Sequence, residues 1–352
     1  MKDIDFARLA RKNIQSLMTY VAKETPCRVK LDANESPYCP LALDDILSKK
    51  DIFLSLNRYP DPESKELKKA IAGNLKVKPE NILIGNGSDE IITYLISAFG
   101  GPVLYPAPTF VMYGITSQTF GQRHTAIPLD KDFDLDLDRM LKAIRKENPK
   151  LIFLSSPNNP TGNCYSTDRI LKIIETSNTI VVVDEAYQPF SSKKGFLPLL
   201  YDYRNLAILR TLSKIGFAGI RTGYLIAHKE LIEIVDRTRL PYNLNSLSQT
   251  LAIMGLNNKK IIDLQIKTIV KERNRLFKEL GKMDGVKPFP SEANFILFRV
   301  PDAEMVYHKL IKSGVLIRNM SGVVKNALRV TVGTPEENNI FLDSIKKVLI
   351  KR

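Results

Sequence analysis

Lys214 lies in Leu209-Arg210-Thr211-Leu212-Ser213-Lys214-Ile215-Gly216-Phe217-Ala218-Gly219-Ile220-Arg221, a small-residue loop between an apolar run and an arginine. A lysine in such a place can act as a nucleophile toward a carbonyl carbon, with Ser213, the glycines and the planar fork of Arg221 forming an anion cradle beside it. Alone the segment is ambiguous, because a lysine among Ser and Gly also describes a solvated turn. Three more segments place polar groups directly after apolar runs. Gly85-Asn86-Gly87-Ser88-Asp89-Glu90 follows Asn81–Ile84. Ser155-Ser156-Pro157-Asn158-Asn159-Pro160-Thr161-Gly162 follows Leu151–Leu154, and Asp184-Glu185-Ala186-Tyr187 follows Ile180–Val183. Each has a plain alternative as a loop, a turn or a helix cap.

Taken together, the four supply a phosphate cradle, an amide, a carboxylate with a nearby tyrosine, and a lysine. These are the parts that pyridoxal 5′-phosphate requires. Asp184 suits the protonated ring nitrogen, since a carboxylate stabilises that cation. Lys214 suits the Schiff-base linkage and the proton shuttle that follows its displacement. Asn159 and Tyr187 can hydrogen-bond the phenolic oxygen, while Ser88, Asp89, Ser213 and Arg221 can hold the phosphate. Phe110, in Pro108-Thr109-Phe110, can stack on the ring.

The elements that must position these groups are short apolar runs alternating with amphipathic stretches, the pattern of a mostly parallel sheet with helical connections. Strands are predicted at Ile82–Ile84, Val103–Tyr105, Leu151–Leu154, Thr179–Val183, Leu206–Leu209 and Tyr224–Ala227, and helices at Ser88–Phe99, Asp136–Glu147 and Thr167–Thr176. In an open sheet of this kind ligands bind beyond the carboxyl ends of the strands, so all four segments should face one crevice. The expected organisation is α/β. It comprises an arm over residues 1–40, a large domain over 41–257, a connecting helix over 258–280 and a smaller α+β domain over 281–352.

At 352 residues the chain can bury a large core. Lys2, Asp3, Asp5, Arg8, Arg11 and Lys12 interrupt the N-terminal region, so no signal peptide or membrane span is expected and a cytoplasmic protein is the default. Cys27, Cys39 and Cys164 are too scattered for a disulfide framework or zinc site, and no metal is expected. The formal charge of +14 is dispersed in pairs such as Lys68-Lys69, without a nucleic-acid-binding motif, and suits the steering of anionic metabolites. His124, His228 and His308 stand alone and are read as structural.

The order Gly-Asn-Gly-Ser-Asp-Glu, Pro-Thr-Phe, Ser-Pro-Asn-Asn-Pro-Thr-Gly, Asp-Glu-Ala-Tyr, Thr-Leu-Ser-Lys and Arg221 resembles the fold type I pyridoxal-phosphate-dependent aminotransferases over nearly the whole chain. Four further stretches resemble the histidinol-phosphate aminotransferases, class II members of that superfamily: Leu31–Pro37, Asn57–Pro62, Pro241–Asn245 and Leu328–Thr334. The resemblance implies a homodimer in which Tyr59 reaches the phosphate of the partner's cofactor. It implies that Tyr20, Asn34, Arg318 and Arg329 line the substrate side, with the arginines gripping the phosphate of histidinol phosphate and Arg329 also suited to the carboxylate of glutamate. Transamination of imidazole acetol phosphate is the implied reaction. Aminotransferases for aromatic or other amino acids, and threonine-phosphate decarboxylases, share the core. A non-catalytic regulator on the same fold would carry an added helix-turn-helix domain, which the first forty residues do not accommodate. The chain departs from many family members in one place. Lys214 and Arg221 stand seven apart where many have eight, so a tighter loop is expected there.

Overall fold

In the central sheet, apolar residues alternate between two separate cores. Ile82, Ile84, Ile152, Leu154, Val181 and Val183 pack into one, and Leu83, Leu151, Phe153 and Val182 into the other. That alternation is what a strand buried on both faces requires, because successive side chains point to opposite sides. The computed structural model describes residues 5–18, 25–48 and 56–350.

The strands are β1 Val29–Lys30, β2 Ile82–Asn86, β3 Val103–Ala107, β4 His124–Pro128, β5 Leu151–Ser155, β6 Ile180–Asp184, β7 Leu206–Thr211, β8 Thr222–Ala227, β9 Lys287–Pro288, β10 Phe295–Arg299, β11 Val315–Leu316, β12 Arg318–Asn319 and β13 Ala327–Thr331. The central sheet has the order β2-β8-β7-β6-β5-β3-β4. Only β8 runs against its neighbours, so the sheet is mostly parallel as expected. Helices Ser88–Phe99 and Thr167–Thr176 keep their predicted bounds, and Leu137–Glu147 begins one residue after Asp136, whose carboxylate accepts the N–H of Arg139 as a cap.

The structure differs from expectation in three places. The strands run to Asn86, Ser155, Asp184 and Thr211, one or two residues beyond their apolar runs, because ladder pairing continues through Ser155 opposite Asp184 and Asn86 opposite Thr222. The edge strand β4, His-Thr-Ala-Ile-Pro, carries too few apolar residues to announce itself. Helices Lys65–Leu75, Met112–Thr119, Lys229–Asp236 and Ser246–Asn257 also lie outside the predicted set.

The helix Lys259–Gly281 leads to a second, antiparallel sheet of order β12-β13-β10-β9, whose core gathers Phe295, Phe298, Val330 and Phe341 with Leu276 and Leu280 of that helix. The N-terminal segment touches both parts. Asn13 donates to the carbonyl of Gln118 at 2.7 Å, and β1 pairs in parallel with β11.

Candidate active site

Asp184, Ser155 and Thr211 are the last residues of three adjacent strands, and they line one pocket with Ser88, Asp89, Phe110, Asn159, Tyr187, Ser213, Lys214 and Arg221. Every residue that the sequence suggested for the cofactor, Tyr59 excepted, is therefore brought to one place. The pocket opens into a wider cleft that shares Asp89, Phe110, Asn159, Tyr187 and Lys214 with it and adds Asn34, Arg318 and Arg329. Tyr59 lines neither; it is 80% exposed and stacks on Tyr242 with ring centroids 4.5 Å apart. Tyr20 falls outside the described residues.

At one end of the pocket, Gly87 precedes the helix Ser88–Phe99, whose first-turn N–H groups have no acceptor within the helix. The Arg221 guanidinium lies against this turn, with Nη2 3.5 Å from Asp89 Oδ2 and Nη1 donating to Ser213 Oγ at 3.3 Å. Gly87 has φ 85°, where other residues are strained, and a Cβ there would stand 2.6 Å from Arg221 Nη2 and push the guanidinium aside. The seven-residue step from Lys214 is closed by a 3-10 turn over Ala218–Ile220, with Arg221 itself left-handed at φ 49°. The tight loop thus still delivers the guanidinium beside Ser213. Two cationic or hydroxylic side chains over a helix N-terminus make a site for a phosphate dianion.

At the other end Asp184 is buried, with Oδ2 accepting from the Tyr113 hydroxyl at 2.6 Å and Oδ1 from the Ala186 N–H at 3.0 Å. Burial raises its pKa to about 6, against the lowering effect of these two donors. Both donors are neutral, so the carboxylate is left to pair with a cation arriving from the pocket. A pyridinium nitrogen is such a cation, and this buried acid is the observation that fits pyridoxal phosphate to the site.

Between the two ends the amide of Asn159 is oriented by its neighbour. Arg329 Nη1 donates to Asn159 Oδ1 at 2.6 Å, and since a guanidinium can only donate, the Asn159 NH₂ is turned the other way as a donor. The Tyr187 hydroxyl accepts from Asn34 Nδ2 at 2.9 Å, which frees its own proton for donation. Lys214 Nζ sits 5.8 Å from the centroid of the Tyr187 ring.

Arg318 and Arg329 are directly opposite in the β12/β13 pair, so their side chains leave the same face of the sheet. Arg329 also donates to the Asp32 carbonyl at 2.6 Å and lies over the Phe295 ring.

The model for the family "Aminotransferase class I and II" matches residues 28–345. The chain belongs to the class I and II aminotransferases. A histidinol-phosphate aminotransferase of Thermoanaerobacter sp. (strain X514) is 41% identical over 350 residues, which is 97% of this chain and 99% of that one. The solved histidinol-phosphate aminotransferase of Clostridium acetobutylicum superposes with a TM-score of 0.85 at 26% identity, over 92% of this chain and all of the other. The fold is shared with the Sinorhizobium meliloti histidinol-phosphate aminotransferase, solved in complex with pyridoxal-5′-phosphate, at a TM-score of 0.86 and 24% identity over 97% of each chain.

Several residues that shape this aminotransferase site escape sequence reasoning. Tyr113 lies in the first turn of the helix Met112–Thr119, and its position carries no chemistry until Asp184 is seen beside it. Asn158 is fully buried and ties two motifs together, accepting from Thr109 Oγ1 at 2.7 Å while donating to Thr161 Oγ1 and the Pro108 carbonyl. Glu185 faces away from the pocket and pairs with Arg210 at 2.7 Å. Of the histidines, His124 meets the Tyr105 hydroxyl and His308 pairs with Glu304 on the surface; none lines the pocket or the cleft.

Proposed function

We propose that the protein is a histidinol-phosphate aminotransferase, converting imidazole acetol phosphate and L-glutamate to L-histidinol phosphate and 2-oxoglutarate in histidine biosynthesis. The observation that carries this reading is the cross-strand pair Arg318 and Arg329 on the wall of the cleft that opens from the Lys214 pocket. Like charges placed directly opposite destabilise a sheet, so two guanidiniums held there imply ligands rich in negative charge. A phosphorylated amino alcohol and a dicarboxylate both qualify. Relatives named histidinol-phosphate aminotransferase, 41% identical over 97% and 96% of the chain, support the assignment.

Pyridoxal 5′-phosphate supplies an electron-withdrawing ring and an aldehyde carbon that carries the amino group. Lys214 would anchor it covalently and, once released by an incoming amine, would move the proton on the substrate carbon. Asp184 would hold the proton on the ring nitrogen, and Asn159 and Tyr187 would donate to the phenolic oxygen. Ser88, Ser213 and Arg221, with the backbone N–H of Asp89 in the first helical turn, would hold the phosphate, joined by Tyr59 of the second subunit, and Phe110 would cover one face of the ring. Asn34, Arg318 and Arg329, with Tyr20, would orient the substrate and exclude anion-poor amines.

The same reading includes a cytoplasmic homodimer. Tyr59, Leu56, Leu240 and Tyr242 are exposed, and the two segments carrying them are tied by Arg239 Nη1 donating to the Pro62 carbonyl at 2.7 Å, an apolar surface suited to a second copy. Among the described residues no helix is long and apolar enough to cross a membrane. It further includes the division into an arm over 1–40, large domain over 41–257, connecting helix over 258–280 and small domain over 281–352, supported by separate cores around the two sheets.

Purified enzyme offered histidinol phosphate with 2-oxoglutarate should form glutamate, and should favour this pair over phenylalanine with 2-oxoglutarate. Carbon dioxide release from threonine phosphate, or preference for aromatic substrates, would overturn the substrate assignment.

A further inference from the structure

Tyr113 belongs to none of the motifs that carry chemistry, yet it is fully buried and its hydroxyl is 2.6 Å from Asp184 Oδ2. We propose that Tyr113 is a positioning residue for catalysis, fixing the Asp184 carboxylate against the cofactor's ring nitrogen while leaving its charge uncompensated. The inference rests on the pyridoxal-phosphate reading of the pocket.

Each Asp184 oxygen has one donor, the Tyr113 hydroxyl on Oδ2 and the Ala186 N–H on Oδ1. Two donors on two oxygens fix the plane of the carboxylate as well as its position. The donor on Oδ2 is neutral, and the next residue in the chain shows what a cation does instead. Glu185 is just as buried, but Arg210 pairs its charge, with Nε and Nη2 both donating to Oε2 at 2.9 and 2.7 Å while the Phe196 N–H donates to Oε1, and it takes no part in the pocket. An arginine in place of Tyr113 would similarly occupy Asp184. A phenol orients the acid without neutralising it, so the negative charge stays available to a pyridinium. The charged groups that face Asp184 from the other elements are Lys214 of the loop after β7 and Asp89 of the helix N-terminus.

The Tyr113 ring is itself immobilised. It stacks on Phe153 of β5 at 4.7 Å with planes 9° apart, and it meets the edge of Phe110 at 5.7 Å and 86°. Phe110 lines the pocket. One side chain therefore supports both the wall on which the cofactor ring would stack and the acid that would hold its nitrogen.

The test compares holoenzymes of the unaltered protein, Tyr113→Phe, Asp184→Asn and the double variant, measuring cofactor dissociation by dialysis together with kcat and KM for both substrates. Phenylalanine keeps the stacking and removes only the donor. Tyr113→Phe should weaken cofactor binding and lower kcat roughly tenfold or more, the worth of a hydrogen bond to a charged group, with both KM values unchanged. In the Asp184→Asn background the same change should have no further effect on cofactor binding, because the residue acts through the carboxylate. Cofactor binding equal to that of the unaltered protein, or an equal loss in both backgrounds, would overturn the proposal. Failure of the unaltered protein to take up pyridoxal phosphate at all would instead overturn the functional reading beneath it.

Discussion

The chemistry of this site is decided by how individual side chains are held. Lys214→Ala should abolish borohydride fixation of pyridoxal phosphate to the protein, read by mass spectrometry of the intact chain; fixation persisting at another lysine would remove Lys214 from its role. Asp184 yields a prediction about stability. Burial lifts its folded pKa to about 6, above the value near 3.9 of an unfolded aspartate. Between roughly pH 4 and pH 6 the folded chain holds this proton more tightly than the unfolded chain, so the stabilising effect is complete at low pH and is lost as pH rises through 6. For the cofactor-free protein this amounts to about 3 kcal/mol across the window. Urea denaturation between pH 4 and 8 should show that slope in the unaltered protein and its absence in Asp184→Asn, even as the variant loses activity. Much of this scale was readable in advance. Lys214, Asp184, Asn159, Tyr187 and Arg221 each announce themselves by type and by following an apolar run. Tyr113 and Asn158 do not, because their partners lie 71 and 49 residues away and only the fold makes them neighbours.

At the scale of elements, the geometry depends on close approaches between strands and turns. A Cβ on Gly223 of β8 would lie 2.5 Å from the Ser88 N and 2.6 Å from the Gly87 carbonyl carbon. Both atoms are backbone, so the turn itself must move. Gly223→Ala should lower stability by about 1–3 kcal/mol and weaken cofactor binding with it, since the displaced turn begins the phosphate site. A shifted urea midpoint with unchanged cofactor affinity would separate the turn from the phosphate. The β12/β13 pair gives another test. Arg318→Gln should relieve the like-charge juxtaposition and leave folding intact, while raising KM for the phosphorylated substrate roughly ten- to hundredfold with little change in kcat. The strands and helices that bear the site were legible because their apolar periods are strong, as in Ile91, Ile92, Leu95 and Ile96 of Ser88–Phe99. Strand β4 was not, since an edge strand that is half solvated needs little apolar patterning.

At the scale of the whole molecule, the single chain assembles every proposed cofactor contact except Tyr59, which stands on the surface with Tyr242. If Tyr59 acts across a dimer interface, Lys214→Ala and Tyr59→Ala subunits are each impaired for different reasons. Dissociating and reassociating a mixture of the two should restore turnover that neither shows alone, because one site of the heterodimer regains both groups. No restoration in a mixture shown to form heterodimers would place Tyr59 outside the site. The basic excess of the chain adds a long-range contribution at this scale, drawing phosphate and dicarboxylate ligands toward the cleft in a salt-dependent way. The most direct measurement for the whole proposal is a half-reaction. Holoenzyme mixed with histidinol phosphate alone should lose the visible absorption of the aldehyde form of the cofactor in stoichiometric amount, and 2-oxoglutarate should then restore it. Absorption that histidinol phosphate leaves untouched while another amino acid bleaches it would contradict the proposal.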